Sequence, residues 1–339
     1  MLPFSHCMYK ILTGLVLLLL VACKTRNTPD VSHIKVDVQI DRFEKAFFAI
    51  DTNNLPQGLA ELRNAYPNFY PTFMRDILGI NPKDTGTFSI LKTILSGYRS
   101  LNDTIQEKYS NLAWLKNELD YDFRYVKFYY PTYPVPRVIT FMATLEAPGT
   151  ILSQQYLGIG LQQYVGKNFS GYQLAPIQEI YPAYISRRFD REYISANCMK
   201  AIVDDIYPDK SAARPLIEQI IEKGKQWFLL DHFAPDAADS VKTGFTQKQL
   251  DWVQENEGNI WPVIVKENLY SIDPTTIQNY IGEAPYTQGM PQESPGNIGQ
   301  WIGWRIVQKF ADKNKKLSVQ QVLQTPAKTI FEEAAYRPK

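Results

Sequence analysis

Two groups of residues in this 339-residue chain stand where they could do chemistry. The first is a single thiol, Cys23, which closes the string Leu20-Val21-Ala22-Cys23 at the end of an apolar run, Ile11 to Ala22, preceded by Lys10. A branched residue, a small residue and then cysteine is the lipobox pattern, in which cleavage before the thiol leaves it to carry a diacylglyceryl group. Twelve residues at 1.5 Å each span about 18 Å, well short of the ~30 Å hydrocarbon core, so the run is a signal segment rather than a spanning helix. The second group is dispersed. Glu222 lies in Glu222-Lys223-Gly224-Lys225, Glu293 in a Pro/Gly-rich loop from Glu283 to Gly296, and Trp301, Trp304 and Arg305 in the segment that follows. Glycines 299 and 303 stand one helical turn apart there. They predict either a buried helix packed through its glycine face, or one wall of a groove with Trp301, Trp304 and Arg305 as anchors.

Several familiar chemistries are missing. Of the three histidines, His6 leaves with the signal, which leaves His33 and His232. A His-Glu-x-x-His helix is absent, as are Cys-x-x-Cys, an acidic calcium loop, a phosphate-binding loop and a Gly-x-Ser-x-Gly elbow. Gly158-Ile159-Gly160 lacks the third glycine of a dinucleotide fingerprint. His232 reads as a helix-terminal histidine favoured by the dipole, and Asp204-Asp205 as a solvated pair whose side chains diverge around a helix. Once Cys7 is cleaved off and Cys23 acylated, Cys198 stands alone, so no internal disulfide is available and Cys198 reads as a packed core residue. No cofactor is expected.

These residues need a scaffold. With 36 basic and 35 acidic side chains the chain has no net field to draw it to nucleic acid, and 45% apolar residues supply ample core. Periodicity predicts helices over 41–51, 59–66, 69–78, 88–101, 112–129, 191–206, 213–230, 246–255, 260–270, 298–313 and 319–324. Between them Arg137–Thr144, Ile151–Tyr156 and Leu157–Val165 are β-branched and aromatic, which predicts a small antiparallel sheet. The expected organisation is a signal peptide over 1–22, a lipidated Cys23 with a flexible tether to 35, and one domain from 36 to 339. Its class is α+β, mostly α-helical around a small central sheet.

A collinear set of short motifs carries a resemblance. Asp41-Arg42-Phe43, Tyr66-Pro67-x-Phe69, Leu157-Gly158-Ile159-Gly160-Leu161, Tyr181-Pro182-x-Tyr184, Glu192-Tyr193-Ile194 and Gly224-Lys225 follow the lipobox in turn. Glu293-Ser294-Pro295-Gly296 and Trp301-Ile302-Gly303-Trp304-Arg305 complete the series. In order and spacing the chain resembles the gliding-motility lipoprotein GldB family of the Bacteroidetes. The resemblance implies a cell-envelope lipoprotein that works by binding envelope or motility-machinery proteins. Sorting rules for such lipoproteins imply the outer membrane, facing the periplasm, with the inner membrane as the alternative. A more distant likeness, sheet then helix then a second helix bearing Glu-x-Gly, is to zincin-type metallopeptidases, and it implies that scaffold without its metal ligands. Two functions stay open at this point: a non-catalytic binder, or a cell-envelope hydrolase with a carboxylate site near Glu222 or Glu293.

Overall fold

The first regular element is a strand, β1 (Ile40–Arg42), where periodicity predicted the start of a helix. The computed structural model describes residues 28–81, 84 and 86–338; Cys23 and the signal segment lie outside the described residues. Contacts divide the chain after His33, and every element named here belongs to the unit that begins at Ile34.

Helices α1 (Phe43–Phe48), α2 (Leu55–Ala65), α3 (Thr87–Gly97), α4 (Arg99–Lys108) and α5 (Ala113–Tyr129) make up the first half. Strands β2 (Arg137–Phe141), β3 (Thr150–Leu152) and β4 (Tyr156–Gly160) follow. Helices α6 (Ala175–Ile180), α7 (Ile194–Ile206), α8 (Leu216–Phe233), α9 (Asp239–Thr243) and α10 (Gln247–Glu255) come next. The chain ends in α11 (Glu257–Lys266), α12 (Pro274–Ile281), α13 (Ile298–Lys313), α14 (Val319–Gln324) and α15 (Ala327–Ala334). Helices α13 and α14 have the predicted bounds. The run predicted over 88–101 is broken at Tyr98, and that over 69–78 becomes a short turn followed by a π-helical stretch, Phe73–Ile77. Among the described residues no helix is long and apolar enough to cross a membrane.

The α+β class and the helical majority are as expected, but the sheet is mixed rather than antiparallel. Its order is β1-β2-β4-β3, with β1 parallel to β2, β2 parallel to β4, and only β3 antiparallel to β4. The reason is a skipped place: residues 142–149 carry the chain past the position that β4 will occupy, and the tight β3–β4 turn, closed by Ser153 N donating to Tyr156 O at 2.9 Å, brings β4 back alongside β2. Strand β4 is buried along its whole length, which is why it reads as an apolar run. Gly158 serves packing there, since a Cβ would stand 2.5 Å from Ile151.

Below the sheet lies an aromatic core. Phe43, Phe47, Phe69, Phe73 and Phe141 meet at ring distances of 4.6 to 6.3 Å. A buried ion pair closes its β1 side. Glu44, fully buried, is bound by Arg42, and its second carboxylate oxygen accepts from Thr140 Oγ1 at 2.8 Å. Arg42 also donates to Tyr109 O at 2.7 Å and Gln106 Oε1 at 3.1 Å, tying β1 to α4.

The second half is organised by α8 against α13. Gly224 and Gly303 face each other so closely that a Cβ on Gly303 would stand 1.9 Å from Ile220 O, and one on Gly224 2.1 Å from Gly303 C. Two backbones in contact leave no room for side chains between them, so the bulky residues of both helices pack to either side.

Candidate functional site

Helix α13 decides where the sequence-chosen aromatics go. Trp301 and Trp304 are only 3% and 2% exposed, packed edge-on at 5.5 Å, with Trp227 against Trp304 and Phe245 against Trp301. This is the buried-helix alternative; neither indole lines an open groove as a binding anchor. The cause is the glycine contact just described, which draws this face of α13 inward. Arg305, one residue on, reaches the surface, where its Nε donates to Glu257 Oε1 at 2.9 Å and Nη1 to Gln308 Oε1 at 2.7 Å.

Glu222 is occupied by its neighbours. Lys225 Nζ binds it at 2.8 Å, Tyr207 donates its hydroxyl to the other oxygen, and the same Lys225 donates to Thr325 O at 2.8 Å. Lys225 is buried, and burial pushes its amine below the usual lysine range while the bonded carboxylate resists the fall. The cluster ties α8 to the ends of α7 and α14. Among the described residues no group of three or more His, Cys, Asp or Glu side chains is placed to hold a metal ion.

Glu293 stands elsewhere, exposed on the rim of an open cleft of about 510 Å³ beside α10. Arg187, Gln249, Trp252, Asp251 and Glu255 share that cleft. The capping box at Thr246, in which Gln249 N donates to Thr246 Oγ1 at 3.1 Å, fixes the start of α10 and so aims Gln249. Gln249 receives Arg187 at 3.3 Å and donates to Pro285 O at 3.3 Å, holding the polar loop against the helix. Arg187 also donates to Gly244 O at 2.7 Å. Gly244 has φ +73°, and a Cβ there would stand 2.7 Å from the Arg188 guanidinium.

Charge is unevenly shared around this mouth. Arg188 is paired with Glu283 at 2.8 and 3.1 Å, and Glu283 also accepts from Asn297 at 3.2 Å. Arg187 is met by neutral carbonyl oxygens, and burial together with Arg188 lowers its pKa. Burial and the same Arg188 push the Lys200 amine down to about 8. The lining offers an aromatic face, two signs of charge and amide donors, but neither histidine nor cysteine. Such a set can meet charges of either sign and an apolar group together. Arg187, Gln249 and Trp252 were missed from sequence. The Thr246-x-x-Gln249 cap was readable, whereas nothing local brings Arg187 to it.

A family model described as gliding motility protein GldB matches residues 24–338. The chain belongs to the GldB family. It is thus a gliding-motility lipoprotein of the GldB type, a membership that implies association with the cell envelope. No curated protein matches the chain, and no solved structure does. Most motifs that carry the GldB likeness occupy buried positions: Phe43, Phe69, all of β4, Gly224, Lys225, Trp301 and Trp304. They mark how a GldB chain folds, whereas the cleft beside α10 is built largely from other residues.

One acid of the GldB chain lies away from both sites. Asp122 of α5 is buried, accepts from Ser195 Oγ at 2.6 Å, and is pushed up to about 7, first by burial and then by Glu118 and Asp236. Its folded pKa exceeds the unfolded value near 3.8, so its contribution to stability is fully present below pH 4 and is lost as pH rises through about 7. Asp122→Asn should therefore match the parent protein near pH 4 and melt higher than it at pH 8. A thermal melt series showing the same pH slope in both proteins would rule this out.

Proposed function

We propose that this GldB-type chain is a non-catalytic lipoprotein, held on the outer membrane facing the periplasm by acyl chains on Cys23. It works by binding an envelope or motility-machinery protein through the cleft of Arg187, Trp252 and Glu293. The observation that carries the reading is the cleft itself, an open one whose lining offers charges of both signs and an aromatic face for recognition. The carboxylate hydrolase loses Glu222 as a free group, because Lys225 and Tyr207 bind it, and would have to work through Glu293 with Asp251 and Glu255 of the same cleft. A zincin-like scaffold without metal is consistent with the sheet followed by α7 packed on α8. One stoichiometric zinc in the purified protein would overturn that part.

The test separates anchor from cleft. In cells, Cys23→Ala should move the protein from the membrane pellet to the soluble fraction and abolish its envelope function. Trp252→Ala and Glu293→Lys should leave amount and location unchanged while weakening partner capture roughly ten-fold, as loss of an anchor residue does. Full function in both cleft variants would refute the binding site, and pellet retention of Cys23→Ala would refute the anchor.

A further inference from the structure

The exposed apolar residues of this protein are not evenly spread. Val263 and Val265 at the end of α11, 40% and 45% exposed, are followed by Tyr270 at 68% and Ile272 at 65%. Tyr270 and Ile272, one residue apart, are the two most exposed large apolar side chains among the described residues, an exposure that a water-facing surface does not need.

The segment is held out rather than loose. The first turn of α8 has backbone donors with no partner inside the helix. Two of them reach this segment, Leu216 N to Ser271 O and Ile217 N to Leu269 O, both at 2.9 Å. Asn268 closes the turn, its carbonyl accepting from Ser271 N at 2.7 Å and its side chain from Tyr270 N at 3.0 Å. Leu269 packs against the core, and with its flanks pinned Tyr270 and Ile272 have no inward path. A fixed turn with an amphipathic ring and an aliphatic chain at its tip suits the boundary between headgroups and acyl chains, where tyrosine settles. Lys266 and Glu267 flank the tip on one side and Asp273 on the other, so charge alone does not draw it to an anionic surface.

We infer that the Tyr270–Ile272 turn is a second, shallow contact with the lipid bilayer, seating the body on the membrane that its acyl chains hold. The inference rests on the acylation of Cys23 proposed above. Residues 24–33 reach at most about 35 Å when extended, so the body is kept within that distance of the bilayer, a closeness that no diffusing partner matches.

The experiment uses the full mature lipoprotein in vesicles of phosphatidylethanolamine and phosphatidylglycerol. Ile272→Cys carries an environment-sensitive fluorophore, with Phe128→Cys on α5 as reference; Cys198 is buried and its thiol pKa is raised by burial, so only the introduced thiol is labelled. The expected result is a blue-shifted emission at position 272, quenched by nitroxide lipids, with position 128 unchanged. Acylation is read separately, from the mass of the N-terminal peptide and from flotation with the vesicles. Protein that floats while its 272 label stays in a water-like environment overturns the inference. Protein that does not float overturns the anchor as well. A shift that follows protein concentration at fixed lipid assigns the tip to a second copy and also overturns it.

Discussion

Gly303→Ala is expected to be among the most damaging single-methyl additions this fold can receive. The new Cβ would stand 1.9 Å from Ile220 O, a backbone atom that no rotamer change can move aside. Helices α8 and α13 must then separate, and the Trp227, Trp301, Trp304 cluster beside the contact loses its packing with them. Overpacking of this kind costs about 3 kcal/mol. For a domain of this size that lowers Tm by about 5 °C. Gly97 in α3 is the control: a Cβ there meets nothing within 4 Å, so Gly97→Ala should be neutral or slightly stabilising through helix propensity. The double variant Gly224→Ala/Gly303→Ala should cost less than the sum of its parts, because one separation of the helices accommodates both methyls. Equal melting of Gly303→Ala and the parent protein would mean that the two helices do not meet through their glycines.

The second large effect is at the buried ion pair. Arg42→Met leaves the fully buried Glu44 carboxylate with Thr140 as its remaining side-chain partner, a change expected to cost about 3–5 kcal/mol near pH 7.5. Burial already holds Glu44 above the ordinary carboxyl value of 4.5, and loss of the guanidinium raises it further. With a folded pKa above the unfolded one, stability from the protonated acid is fully present below pH 4.5 and disappears as pH climbs through the folded value. The variant should therefore be closest to the parent protein in mild acid and furthest from it in mild base. Adding Glu44→Gln should restore most of the loss, since no charge is then left unpaired. Denaturant midpoints at pH 5 and pH 8 decide it: a deficit independent of pH, or no rescue by Glu44→Gln, would place the damage in the lost Tyr109 and Gln106 bonds instead.

Helices with long amphipathic stripes were legible in the sequence because their signal is local. Helices α13 and α14 have the predicted limits, and Ser318 and Gln321 show why, forming a capping box visible as a string. The parallel pairing within the mixed sheet was not legible, because its register joins Ile40 to Val138 and so depends on residues far apart in the chain. Trp301 and Trp304 were ambiguous for a physical reason: a glycine-spaced helix face can approach another backbone or a ligand, and only the position of Gly224 on α8 decides between them. The cleft was half legible. Glu293 was singled out by its loop, whereas Arg187 and Trp252 come to it through α10 and Gln249, contacts that no spacing encodes.

The placing of β1 also bears on how the chain matures. Its three residues are synthesised early, yet their hydrogen-bonding partner follows almost a hundred residues later, and the strand beyond that later still. The sheet therefore cannot close until the chain has reached Gly160. Until then the aromatic residues that follow β1 wait uncovered for the arrival of Phe141.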